Sequence, residues 1–229
     1  MYESANGRSL AVPGPTLQEI LQQSLWDSIT ADWRRRWVPA GERLILQGHP
    51  GTEVFGILKG ALRVERMTDG ASSVVAFRSS GDLVGEGPAL NPKARRMAQV
   101  VAHTDCELVV GSADRFRQVL LGSRVGFLLN QYLYCRGQEM DELRGASDPE
   151  LRLAVLIRPL VRNAWQAGGS HDGLVTLRVN RDHLAQGLYL GHHRARKLLN
   201  ALSIGQFCSK GELEIDLRQW EACVARLGC

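Results

Sequence analysis

The sequence predicts an α+β chain: an antiparallel β-roll or jelly roll, then a long helix, then a winged helix-turn-helix. Three observations predict it. Between Val38 and Val110, short runs of alternating apolar and polar residues recur at roughly ten-residue spacing, each closed by a glycine-containing turn. After Gly111 the apolar period changes to steps of three and four. Near the C-terminus two short helical stretches flank a tight turn and lead into a hairpin. The 229 residues suffice for two domains, and a chain 44% hydrophobic and 23% charged can bury a core. The expected division is a flexible tail over 1–15, a β-roll over 16–121, a helix and hinge over 122–146, and a winged helix-turn-helix over 147–229.

Taken in order, Pro15 and Thr16 open a helix, with Thr16 as N-cap and Leu17, Ile20, Leu21, Leu25, Trp26 and Ile29 at helical spacing to Trp33. Arg34, Arg35 and Arg36 read as its basic, solvated end, favoured there by the helix dipole. The strands of the β region are the runs at Leu44–Leu46, Val54–Leu58, Ala61–Val64, Val74–Phe77 and Glu107–Val110. Glycines at 41, 48, 51, 60, 70 and 81 supply the turns. Ser112–Leu121 and Ser123–Leu143 are predicted helices. On the longer one Gly126, Leu129, Leu133, Arg136, Met140 and Leu143 form a seam that either pairs two helices or packs on the chain's own β domain. Asp148 as N-cap and Pro149 at the first helical position start the next helix, which ends before Gly168-Gly169. Leu174–Leu177 is a short strand.

The C-terminal region carries the chemistry. Asn180–Leu188 and His192–Leu202 are the two helices, joined by Tyr189-Leu190-Gly191 and locked by Leu184, Ala185, Leu188, Leu190, Ala195, Leu198, Leu199 and Leu202. The second helix of such a pair enters the DNA major groove. Its face away from the core carries His192, His193, Arg196 and Lys197, with Arg194 beside them. Such cations and donors suit phosphates and the acceptor edge of guanine. Ile204–Cys208 and Glu212–Ile215 make a wing around Lys210, and Arg181 stands at the start of the first helix, so both join the candidate DNA contacts. Residues 171–229 hold eight basic and six acidic residues, a net +2, so binding relies on local placement and on a dimer. Adjacent helical residues point about 100° apart, so His192 and His193 do not chelate one metal.

This order of parts resembles the Crp–Fnr family of bacterial transcription regulators over Leu17 to Leu227. The β region carries the family's glycine pattern as Gly41-Glu42, Gln47-Gly48, Gly60, Gly70 and Gly81-Asp82-Leu83-Val84-Gly85-Glu86. The resemblance implies a β-roll sensor for a small effector, with cyclic AMP or another cyclic nucleotide as candidate. It also implies a dimerising helix, a roughly twofold DNA operator, and RNA polymerase as a further partner. In family members that bind cyclic nucleotides, a Gly-Glu pair is followed about ten residues later by Arg, Ser or Thr, and Ala. Here Gly85-Glu86 precede Arg95-Arg96-Met97-Ala98. By resemblance Glu86 takes the ribose hydroxyl and Arg96 the cyclic phosphate, which a guanidinium can fork. Met97 departs from the hydroxyl residue, Gly137, Asp141 and Glu142 fall where base-contacting residues are expected, and Arg95 is a candidate compensating cation. A degenerate pocket, or a regulatory protein that does not touch DNA, are the alternatives.

Other classes are disfavoured. Five dispersed cysteines without a CxxC argue against zinc and disulfides and for a reducing cytoplasm. No N-terminal cysteine cluster points to iron–sulfur ligation, His49 and Cys106 are too isolated for haem, and His49 with His103 are too few for a cupin-type metal enzyme. No catalytic triad, carboxylate pair or phosphate-binding Walker loop is found, so no catalysis is expected. No run approaches the ~18 apolar residues of a membrane span, and the N-terminus does not read as a signal peptide.

Overall fold

The computed structural model describes residues 2–3, 9–10, 14–121, 124–145, 148–168, 170–208 and 211–225. The chain forms two compact units, Pro15–Arg136 and Gly137–Cys229 with Met1–Gly14. Strands β1 (Tyr2–Glu3) and β2 (Ser9–Leu10) pair antiparallel.

The unit Pro15–Arg136 opens with α1 (Leu17–Leu21) and α2 (Gln23–Thr30). Thr16 caps α1 reciprocally: its Oγ1 accepts from the Glu19 amide at 3.2 Å, and its own amide donates to Glu19 Oε2 at 2.6 Å. The single helix expected over 16–33 is instead two, because Gln22 adopts φ 64° and breaks the hydrogen-bond ladder between them. The strands follow as β3 (Arg34–Val38), β4 (Arg43–Ile45), β5 (Glu53–Lys59), β6 (Ala61–Thr68), β7 (Ala71–Ser79) and β8 (Leu83–Val84). After α3 (Gly87–Leu90) come β9 (Gln99–Ala102), β10 (Cys106–Ser112), α4 (Ala113–Leu121) and α5 (Arg124–Gly145), and the division between the units falls inside α5. Arg34–Arg36 are therefore not a helix end but an edge strand on β10, each arginine paired to a carboxylate: Arg34 to Glu53 (3.6 Å), Arg35 to Glu107 (2.6 Å) and Arg36 to Glu42 (2.5 Å).

Two four-stranded sheets, ordered β3-β10-β5-β8 and β4-β9-β6-β7, make the roll. Successive strand residues point to opposite faces, and here both faces of the first sheet are covered. Phe55, Ile57, Leu108 and Val110 join Ile45, Leu62, Val100 and Ala102 in the core between the sheets. Val54, Leu83 and Val109 turn the other way, onto Leu17, Trp26, Phe116, Val125, Leu129 and Tyr132 of the helices. The predicted seam of α5 is thus spent largely inside the chain: Leu129, Arg136 and Leu143 are buried, whereas Phe127 and Tyr134, one heptad apart, are 73% and 67% exposed. Heptad spacing specifies a face and not its partner, and the nearest apolar surface is the chain's own.

On the second sheet, Glu65 is buried beside Arg63, Ser72 and Gln99. Burial alone would raise its carboxyl pKa, but the hydrogen bonds from Arg63, Ser72 and Gln99 and the Arg63 charge outweigh it and hold the group below its ordinary value.

The unit with Gly137–Cys229 is built on α6 (Pro149–Gln166), whose N-cap Asp148 accepts from the amides of Glu150 and Leu151. Then come β11 (Ser170–His171), β12 (Leu174–Arg178), α7 (Arg181–Gly187), α8 (His192–Leu199), β13 (Gly205–Phe207), β14 (Glu212–Asp216) and α9 (Leu217–Val224). The strands form one antiparallel sheet ordered β11-β12-β14-β13. α8 ends at Leu199, three residues short of the expected boundary, and α9 was not expected. The Glu150 carboxylate of α6 accepts from the Ser203 and Ile204 amides and the Ser203 hydroxyl, fixing the chain where it enters the wing.

Because Glu65 is held below its ordinary pKa, its stabilisation is complete above the unfolded value of about 4.3 and is lost as pH falls through the lower folded value. Glu65→Ala is expected to cost about 2–4 kcal/mol at neutral pH by leaving the half-buried Arg63 and the buried Gln99 without their partner. Urea unfolding at pH 7 and at pH 3 measures both effects, the difference between variant and parent shrinking in acid.

Candidate effector and nucleic-acid sites

The candidate effector site gathers around the chain between β8 and α3. Gly85 takes φ +85°, a conformation L side chains rarely adopt, and a Cβ there would stand 2.7 Å from Arg96 Nη1. Its carbonyl accepts from that Nη1 at 2.7 Å, while Arg96 Nη2 donates to the Glu53 carbonyl at 2.6 Å. Arg96 is only 9% exposed, and its guanidinium lies against Gly51 and Pro88. Desolvation lowers its pKa, opposed by the charges of Glu86 and Glu53. Two of its five N–H donors are spent on carbonyls, which leaves capacity for an anion.

Glu86 precedes α3 as its N-cap residue without a side-chain cap bond. Its carboxyl is raised by desolvation, against the lowering effect of the Glu86 and Gly85 amides and of the Arg78 and Arg96 charges. Arg95 is exposed and donates to the Gly48 carbonyl at 2.9 Å. Met97 is 77% exposed, and Ala98 is half-buried. The structure thus brings Gly85, Glu86 and Arg96 together, with Arg95 anchored alongside on the loop at Gly48. Gly137 and Asp141 are exposed and Glu142 half-buried, all in the other unit.

Sequence reasoning missed a buried polar link beside this loop. Asp82 is fully buried; its Oδ2 accepts from the Ser79 amide at 3.0 Å and its Oδ1 from the Tyr132 hydroxyl of α5 at 3.2 Å. Arg136 Nη1 stands 3.9 Å from the same oxygen, its guanidinium over the Tyr132 ring, and Arg136 Nη2 donates to the Pro15 carbonyl. Desolvation, with the Asp82 charge adding to it, pushes the Tyr132 phenol far above its usual range. It also missed Arg78, whose charge acts on both Glu86 and Tyr132. The Gly81-Asp82 turn was visible in the sequence, but the pairing of Arg78 needed the strand register.

In the other unit, α8 buries Ala195 and Leu199 and exposes His193, Arg194, Arg196 and Lys197. Residues 193, 196 and 197 share a face by their steps of three and four. His192 is the first residue of α8. Arg181 opens α7, stacks on Phe207 of the wing with Cζ 4.4 Å from the ring centroid, and donates to Asn200 Oδ1 at 3.3 Å. It lines a cavity of about 570 Å³ with Asn200, Gln206, Phe207 and Glu214. Lys210 lies outside the described residues.

Residues 35–123 match the family of cyclic nucleotide-binding domains. The chain is 31% identical over 134 residues, 57% of its length and 26% of the relative's, to the cAMP-dependent protein kinase regulatory subunit of Mycosarcoma maydis. It spans between 26% and 37% of the length of the curated relatives it matches. Among solved structures it is similar to CLP of Xanthomonas campestris, described as a c-di-GMP responsive global regulator, with TM-score 0.63 and 20% identity over 85% of this chain and 99% of that one. It is similar also to a transcriptional regulator of the CRP/FNR family from Thermus thermophilus, with TM-score 0.64 and 17% identity over 84% of this chain and 98% of that one. At these identities the structural likeness establishes the fold.

Gly51→Ala tests the cradle of Arg96. The added Cβ would overlap the Arg96 guanidinium carbon and stand 2.5 Å from Pro88 Cγ. We expect a loss of about 1–3 kcal/mol in urea unfolding as the guanidinium is displaced from the two carbonyls.

Proposed function

We propose that this chain, which carries a cyclic nucleotide-binding domain at residues 35–123 and has the fold of the CRP/FNR regulators, is a homodimeric, sequence-specific DNA-binding transcription regulator. In this reading a cyclic nucleotide in the β-roll of residues 16–121 controls it, residues 122–146 join two copies, and residues 147–229 hold DNA and, at a promoter, meet RNA polymerase. The observation that carries the reading is α8. One face is sealed by Ala195 and Leu199, and the other presents His193, Arg194, Arg196 and Lys197 between a preceding helix and a following wing. A helix so placed can lie in a major groove, its cations on phosphates and base edges. The exposed Phe127 and Tyr134 on α5 support self-association. Two such helices reach successive major grooves ~34 Å apart, so the operator is roughly twofold.

A second reading, a regulatory protein that answers a cyclic nucleotide without touching DNA, is favoured by the likeness to the kinase regulatory subunit. The exposed Met97 favours weakened binding of cyclic AMP.

The test uses a duplex enriched by the purified chain from a random pool in the presence of cyclic nucleotides. Arg196→Ala and Lys197→Ala are each expected to weaken its binding about tenfold, at unchanged thermal stability. Phe127→Glu is expected to shift the sedimenting species from dimer to monomer. A pool without enrichment, or variants that bind as the parent does, rejects the DNA reading in favour of the second. A dimer indifferent to Phe127→Glu rejects that face as the interface.

A further inference from the structure

We propose that α8 reads guanine: each operator half-site holds at least two adjacent guanines on one strand, whose O6 and N7 acceptors face His193, Arg196 and Lys197. This rests on the reading of α8 as the helix that enters the major groove. His193, Arg196 and Lys197 are exposed, and among the described residues no hydrogen bond or ion pair engages their side chains. Other cations of the same unit are spent: Arg158 on Glu139 at 3.1 Å, Arg178 on Glu212 at 3.5 Å, and Arg181 on Asn200 and the Phe207 ring. Three unspent donors therefore stand on one face of one helix, away from the buried Ala195 and Leu199.

That face is chemically one-sided. Arginine and lysine donate and accept nothing, and histidine brings an N–H in either charge state. α8 has no carboxylate or amide side chain, and the oxygen of Asn200, at its C-cap, already accepts from Arg181. In the major groove guanine presents two acceptors, O6 and N7, which arginine or lysine matches; adenine sets its N6 amino group beside N7, and cytosine presents the N4 amino group. Asn, Gln, Asp or Glu answer those amino groups, and α8 offers none of them. Spacing adds adjacency. The helix rises about 1.5 Å per residue, so His193 and Arg196 stand about 4.5 Å apart along its axis and His193 and Lys197 about 6 Å. A base-pair step is about 3.4 Å, so the face meets two or three consecutive base pairs. Arg194 points about 100° away from His193, toward the flank where phosphates run.

Selection of duplexes from a random pool by the full chain, with cyclic AMP and cyclic GMP present, reads the half-site. The parent is expected to return at least two adjacent invariant guanines in each half-site. Replacing either by 7-deazaguanine, which pairs normally but lacks N7, should weaken binding about tenfold. Arg196→Gln, which exchanges a fork of donors for one donor and one acceptor, should move one of those guanines to adenine on reselection. Thermal unfolding shows whether the variant is folded, and the deazaguanine duplexes need no variant. Invariant A·T pairs in place of the guanines, deazaguanine duplexes bound as tightly as the natural one, or a folded Arg196→Gln that selects no adenine there overturns the proposal and leaves the DNA-binding reading standing. A pool without enrichment overturns that reading and this inference with it.

Discussion

The candidate effector site depends on one buried cation. Arg96 lies with its guanidinium between the carbonyls of Gly85 and Glu53, so a single side chain ties the loop ahead of α3 to the start of β5. Burying a charge is costly unless its donors are matched, and here backbone oxygens match two of them while Glu86 and Glu53 supply opposing charge. Gly51 and Gly85 are glycines because a Cβ at either would occupy the guanidinium's space. The arrangement sets a cation firmly beside a half-buried carboxylate while keeping donors of the same guanidinium unspent. That is the chemistry an anionic ligand with a hydroxylated sugar requires.

The rest of the unit Pro15–Arg136 holds that loop in place. β5 and β10 are buried on both faces, one toward the second sheet and one toward the helices. The two-residue strand β8, which the loop follows, starts directly after Asp82, which is fixed by the Ser79 amide and the Tyr132 hydroxyl. The candidate effector loop is thereby tied, through a fully buried hydrogen bond, to the helix that continues to the boundary of the next unit. Removing either partner would leave a polar group stranded in the core, so the link resists being broken piecemeal.

Local patterns were legible in the sequence, and long-range pairing was not. The Thr16 and Asp148 caps, the helix pair α7 and α8 and the strands of the wing are written in a few adjacent residues, and the structure has them. Arg34–Arg36 misled because three charges in a row do not look like a strand; their partners Glu53, Glu107 and Glu42 come from other parts of the roll. β8 has two residues and β9 four, all buried without alternation, so neither left a periodic trace. The break at Gln22 is a single backbone angle. α9 could have been found from Asp216 as N-cap before Leu217, Trp220 and Val224. Of the candidate effector site, Glu86 and Arg96 were named through the resemblance that the glycine pattern carries. Arg78 was out of reach because its direction depends on which residue of β6 it faces.

The most direct measurement is the crystal structure of the full chain grown with cyclic GMP. The account predicts phosphate oxygens on the Arg96 guanidinium, with the Gly85 and Glu53 carbonyls still in contact, and the ribose hydroxyl on Glu86. A nucleotide bound elsewhere, or a roll interior without one at saturating concentration, would contradict it.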